Sequence, residues 1–316
     1  MSGRQGPRRV APAAVALAVL LLVILTGVAS AARALPVAPA SSASEQQIDS
    51  SDIYTIRLDA SRRRKLTDVD DTFALAPAWS SNGRTIAYES GACDDCPRAI
   101  YLVPAKGGRP RVVRTAVSPA GRPSWAPNGK RLAVVGGADS DVYVIDLASH
   151  TARPLARDGA SHDAAAWSPD GKWIAYTRQE PNGRSDLYMV RPDGSGKRRL
   201  TSTDTSEEMP SWSPDSRRLA FARQEADGRW ALYVLRLADL SARRLTRAGE
   251  DVRSPSWSPD ARRLAFVRLG SGTLPSIYVM NVDGGGVRRL PTGLPASFDP
   301  AWSPNGKKIV FAGSRT

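Results

Sequence analysis

Pro300-Ala301-Trp302-Ser303-Pro304-Asn305-Gly306-Lys307-Lys308-Ile309-Val310-Phe311 reads as a strand ending in Trp, a tight turn and a second strand. Pro presets φ at the second position of a type I turn, Asn suits the third, and Gly closes it. The chain writes this unit six times. Trp79, Trp125, Trp167, Trp212, Trp257 and Trp302 follow one another at intervals of 46, 42, 45, 45 and 45 residues. Such a period marks a repeat architecture.

Comparing the repeats with one another shows what each contains. Seven residues after each Trp stands Ile86, Leu132, Ile174, Leu219, Leu264 or Ile309. Two further on stands Tyr88, Val134, Tyr176, Phe221, Phe266 or Phe311. Spacing of two with β-branched and aromatic residues predicts a strand with one buried face. Tyr101, Tyr143, Tyr188, Tyr233 and Tyr278 then open a second pair of strands, with turn formers such as Asp193-Gly194 between them. Four short strands joined up and down make one propeller blade.

The ends of the pattern are complementary. Residues 52–66 form a Tyr unit with no Trp unit before it, and residues 300–313 form a Trp unit with no Tyr unit after it. Either half alone would leave an apolar face and an open strand edge. Together they complete a blade. The expectation is an all-β, six-bladed propeller over residues 51–316, with four-stranded antiparallel blades, one of them closed by the N- and C-terminal strands. Identical placement makes the six tryptophans wedges between blades rather than stacking platforms for sugars or bases. Trp173 and Trp230 fall outside the pattern and are free to be surface contacts. Ser216 and Ala261 replace the turn glycine, which a type I turn only prefers at its end.

Composition narrows the class. With 41% apolar residues a core is available, and 26 Gly and 24 Pro suit many tight turns. The formal net charge is +13, and Arg4, Arg8, Arg9 and Arg33 account for four of these, leaving +9 on the rest. No basic run interleaved with aromatics marks a nucleic-acid groove, so no nucleic-acid partner is expected. Three arginines precede an apolar run from Val10 to Val28, and small residues follow. Residues 1–34 thus read as a secretory signal peptide or an N-terminal membrane anchor, with an apolar helix at 10–28. Residues 35–50, rich in Ala, Ser and Pro, read as a flexible linker. The rest is expected outside the cytoplasm: periplasmic, in the cell envelope or extracellular. Any membrane contact is expected only through an uncleaved N-terminal segment.

The motif Pro-x-Trp-Ser-Pro-Asp/Asn-Gly resembles the TolB-type (PD40, WD40-like) propeller repeats. It stands here as Pro210-Ser211-Trp212-Ser213-Pro214-Asp215 with Leu219-Ala220-Phe221, and as Leu187-Tyr188-Met189-Val190 with Arg198-Arg199-Leu200-Thr201. The resemblance covers residues 51–316. It implies a non-catalytic envelope protein that binds a protein or peptide partner at the central channel, here as a monomer. Residues 35–50 are too few for the α/β domain that precedes the propeller in that family.

Strand 1 of each blade runs nearest the axis, so residues three to five before each Trp are expected to ring a channel mouth on the face of the blade-to-blade connections. These are Arg122, His162, Asp163, Glu207, Glu208, Arg253, Phe298 and Asp299. Mixed charge with an aromatic suits a peptide or small polar ligand. Solvated charges are the plainer reading. Asp163 and Glu208 share a position in adjacent blades, which would also suit a cation.

Cys93 and Cys96 flank two aspartates, and in an exported chain they read as a small disulfide. A redox pair would need a lowered thiol pKa that the aspartates oppose, and structural zinc would need a second Cys pair. No cofactor, metal site or catalytic residue is expected. The alternative is a propeller enzyme or accessory domain of the lyase or peptidase kind, acting on a small polar or carbohydrate ligand. No Gly-x-Ser-x-Gly elbow occurs, and the two histidines, His150 and His162, are expected on opposite faces. A further reading gives the outer-strand arginines (Arg198, Arg199, Arg243, Arg244, Arg288, Arg289) weak adhesion to anionic polymer.

Overall fold

The computed structural model describes residues 50–68, 72–91, 98–118, 121–270 and 272–314. The N-terminal signal or anchor, nearly all of the linker, and Cys93 and Cys96 lie outside them. Every regular element described is a β-strand. Four sheets are four-stranded and antiparallel. A fifth, eight-stranded sheet joins two such sets, one built from residues 73–112 and one from 297–314 with 51–65. A single parallel pair, Ser51 with Phe73, links its two halves.

The complementary ends meet as the repeat requires. Strand Ser51–Arg57 pairs antiparallel with Lys308–Ser314 over seven residues, placing Tyr54 opposite Phe311. The same pairing recurs inside the continuous repeats, where Tyr88 faces Tyr101, Tyr176 faces Tyr188, Phe221 faces Tyr233 and Phe266 faces Tyr278. Ring centroids stand 5.6 to 5.9 Å apart in all five pairs. Chain ends therefore rebuild, residue for residue, what the loops connect elsewhere.

One expectation needs correcting. The second strands are buried on both faces, with Ile86, Ala87 and Tyr88 all within the core. Neighbouring sheets cover them from either side, and the intervening position accordingly carries a compact residue: Ala87, Ala133, Ala175, Ala220, Ala265 or Val310. Close sheet-to-sheet approach leaves no room for more.

First strands stand side by side in a closed cycle: Phe73–Trp79, Ser124–Trp125, His162–Trp167, Glu207–Trp212, Asp251–Trp257, Ser297–Trp302, and back to the first. The tryptophans bridge neighbours in this cycle, as expected of wedges. Trp79, Trp125 and Trp212 donate their indole N–H to the carbonyls of Ala301, Ala78 and Ala166, each one residue before the previous tryptophan. Where that residue is Ser124 or Ser256, its hydroxyl instead accepts the backbone N–H of Trp167 or Trp302, and the indole nitrogen is left unpaired. Arg131, Arg218 and Arg263 stack over Trp167, Trp257 and Trp302 at 5.3, 4.9 and 4.9 Å. Trp230 is not a surface residue. It is buried in the core beneath Arg253, 4.6 Å from its ring centre. Trp173 is half-buried under Arg191.

Outer-strand arginines also tie sheets together. Arg153, Arg243 and Arg288 donate to carbonyls in the outer turn of the next sheet, at Pro192, at Val282 and Asp283, and at Leu58. Part of the basic rim thus serves the fold.

Candidate functional site

Each first strand has an irregularity at one place. Three residues before the tryptophan stand Ala76, Arg122, Ala164, Met209, Ser254 and Asp299, and all six have positive φ, from 30° to 57°. In five of the six strands the pairing register slips at this point, as at a β-bulge. A non-glycine residue in that region costs about 1–3 kcal/mol, and such strain gathers where function or closure demands it. A proline follows in five strands, at Pro77, Pro123, Pro210, Pro255 and Pro300. The innermost strand is a sheet edge, and proline there removes an unpaired donor.

The bulge turns this ring of residues towards the axis, where they floor a cavity of about 280 Å³. Its walls are the prolines, Ser124, Ser211 and Ser256, several alanines, and the edges of Trp167 and Trp212, with Pro169 at the rim. Asp299 stitches the floor. Its Oδ1 accepts from Arg122 Nη1 at 3.1 Å and from Ser254 Oγ at 3.0 Å, while Oδ2 accepts from the Ala76 backbone N–H at 3.3 Å. Burial disfavours the Arg122 charge, yet Asp299, Asp163 and Glu89 together hold its pKa above the ordinary arginine value. Glu89 Oε2 also accepts the Arg122 backbone N–H at 2.8 Å, and Glu89 Oε1 pairs with Arg98 at 2.7 Å.

One residue earlier in the strands, Asp163, Glu208 and Arg253 form a second charged layer. Burial, then repulsion from Asp163, pushes the Glu208 carboxyl up to about 7, against the pull of Arg253 and Arg122. Glu208 Oε2 and Arg253 Nε have no hydrogen-bond partner. Burial holds the Arg253 pKa below its usual value, although Glu208 and Asp251 oppose this.

The predicted ring is thus split. Arg122 and Asp299 line the cavity, while Asp163, Glu208 and Arg253 interact with them or with each other. His162, Glu207 and Phe298 point elsewhere. Glu207 is buried against Arg223 and Thr203. Phe298 joins the core beside Ala74 and Ala312. His162 lies between sheets, Nδ1 3.2 Å from the Ser140 carbonyl oxygen and Nε2 3.3 Å from Asp158, and burial lowers its pKa despite Asp158. His150 is exposed in the turn between strands Asp141–Asp146 and Ala152–Ala156. The cavity lies on the side of the Trp-Ser-Pro turns, with Pro169 of one such turn in its lining.

Glu89 and Ser254 escaped the sequence reading. Glu89 fills a column otherwise occupied by Val135, Thr177, Ala222, Val267 and Ala312, so its charge was visible as the odd member. Ser254 sits in the same column as Arg122 and Asp299. No cluster of three or more potential metal ligands occurs among the described residues.

The model of the TolB beta propeller domain family matches residues 25–226 and 203–316. Among solved structures, the chain resembles a protein assigned as TolB from Agrobacterium tumefaciens. Identity is 21%, the TM-score is 0.72, and the likeness covers 84% of this chain and 98% of that one. TolB from Acinetobacter baumannii gives 22% identity and a TM-score of 0.69 over 81% of this chain and 67% of that one. An oligogalacturonate lyase in complex with manganese is more distant, at 14% identity and TM-score 0.57 over 84% and 83% of the two chains. An uncharacterized protein of Agrobacterium fabrum is 36% identical over 80 residues, 25% of this chain, and the match spans 27% of that protein's length.

Proposed function

Because the chain belongs to the TolB beta propeller domain family, we propose that it is a six-bladed ring closed by its own termini that works by binding rather than by catalysis. Its ligand is a protein or peptide segment of the cell envelope, taken up on the ring's axis. The N-terminal apolar segment directs the chain out of the cytoplasm.

The axial cavity carries this reading. A recess built from the six inner strands, walled by prolines, serines and indole edges with Arg122 and Asp299 at its floor, offers a fixed surface on which a few polar groups can orient a ligand. Ser211, in the wall, makes no side-chain hydrogen bond among the described residues and can be enlarged without breaking one there. Ser211→Trp should fill the recess. Capture of envelope proteins on the purified chain should lose specific bands with this variant while its unfolding midpoint stays put. An unchanged set of captured proteins would remove the axis as the binding site.

A further inference from the structure

The rim of the cavity carries a pattern that the binding reading does not use. Five residues after each tryptophan stands a base: Arg84, Lys130, Lys172, Arg217, Arg262 or Lys307. All six are exposed, and among the described residues none of their side chains makes an ion pair or hydrogen bond. Their backbones are fixed. Each donates its N–H, at 2.9 to 3.1 Å, to the side-chain oxygen of the Asn or Asp two residues earlier. That Asx turn holds every base at the same place on its Trp-Ser-Pro turn, and Pro169 of one such turn lines the cavity.

Three of these turns carry acids, Asp170, Asp215 and Asp260. Each has its Oδ1 occupied by the preceding Ser hydroxyl as well as by the turn N–H. Six unpaired cations against three engaged carboxylates make the collar positive. The floor adds a guanidinium whose charge Asp299 balances but whose donors Asp299 does not exhaust. Arg122 lines the cavity with its side chain 30% exposed and only Nη1 committed to Asp299.

From this collar and floor we infer that the occupant is an acidic polypeptide end, its carboxylates on the rim and its terminal carboxylate reaching towards Arg122. The inference rests on the binding reading above and names the chemistry of its partner. Two features favour a chain end over a continuous polyanion. Asp299, bonded to Arg122, Ser254 and Ala76, ties four inner strands together at the floor, which favours an occupant that stops there. The wall prolines lack N–H groups, so the inner strands cannot take up an added strand, and the occupant is held through charge and side-chain contact.

Fluorescence anisotropy with a labelled Glu-Ser peptide bearing a free C-terminus tests this. Its C-terminal amide, its Gln-Ser and Lys-Ser counterparts, and dextran sulfate serve as comparisons. The acidic peptide should bind at low salt, more weakly as the amide, and lose affinity when salt shortens the Debye length below about 8 Å. Lys172→Gln/Arg217→Gln/Arg262→Gln, all at exposed positions, should weaken it about tenfold, as several rim charges of modest individual worth would. The Lys-Ser peptide should not bind. Absence of acidic-peptide binding at low salt overturns the inference, as does equal binding of the Gln-Ser peptide or an unaffected triple variant. Dextran sulfate binding that competes with the peptide and survives Ser211→Trp would make the collar a polyanion patch, and this too overturns it. In each case the axial reading stands or falls separately, on whether Ser211→Trp still abolishes envelope capture.

Discussion

Arg122 and Asp299, 177 residues apart in the chain, meet on the axis with Nη1 and Oδ1 3.1 Å apart. Asp299 also receives Ser254 Oγ and the Ala76 backbone N–H, so one carboxylate joins four of the six inner strands. Asp299→Ala should therefore cost more than Arg122→Ala. It strands a guanidinium and frees two further donors, and hydrogen bonds to charged groups contribute about 1.5–3 kcal/mol each at most. Urea unfolding of both variants and the double variant checks this. A coupling energy near zero would show that the pair does not hold the floor.

Glu208 makes stability depend on pH in a stated direction. Buried beside Asp163, with Arg253 and Arg122 facing it, its carboxyl is raised from an ordinary 4.5 to about 7. The folded chain thus binds this proton more tightly than the unfolded one. Its stabilising contribution is complete below about 4.5 and is lost as pH rises through about 7. Glu208→Gln should remove that slope, recovering up to about 3 kcal/mol at pH 8 relative to pH 5. Unfolding at the two pH values measures it, and parallel wild-type and variant curves would refute the assignment.

The turn position of Ala261 is more demanding than its letters suggest. Ser216 and Ala261 hold φ of 56° and 58°, where Gly83, Gly129, Gly171 and Gly306 hold 67° to 73°. A type I turn only prefers glycine there, whereas the backbone is left-handed in every copy. Ala261→Gly should stabilise by about 1 kcal/mol, because the strain of a side chain in this region exceeds glycine's entropic cost. Gly171→Ala should destabilise, since its Cβ would also meet Pro127 Cγ at 3.1 Å. Thermal unfolding midpoints moving in opposite directions are the expected result.

Periodicity made the fold legible. Tyr54 and Phe311 match by their letters because four other repeats carry the same aromatic pair, and all five pairs share one register. The site was legible only by column. Spacing picks out the residues before each tryptophan but not their directions, because alternation fails at a bulge. Nothing in the letters of Arg122 or Ser254 announces a left-handed backbone. Nor did Trp230, outside the repeat pattern, reveal that a neighbouring sheet covers it. Such facts depend on how sheets pack, which one strand's sequence does not contain.

Two tryptophans with the same burial allow a clean measurement of the bridge between sheets. Trp212 and Trp257 are each 6% exposed, but only Trp212 donates its indole N–H, to the Ala166 carbonyl at 2.9 Å. Trp257 Nε1 is buried without a partner, facing the strand in which Ser211 replaces the alanine. Both lose similar apolar area on change to Phe, so that loss cancels in the comparison. What remains is a satisfied donor at Trp212 and a desolvated, unpaired one at Trp257, where Phe still offers Arg218 a ring face. Trp212→Phe should then cost about 1 kcal/mol more than Trp257→Phe in urea unfolding. Equal costs would mean that the indole bond adds nothing to the wedge, and that shape alone holds neighbouring sheets together.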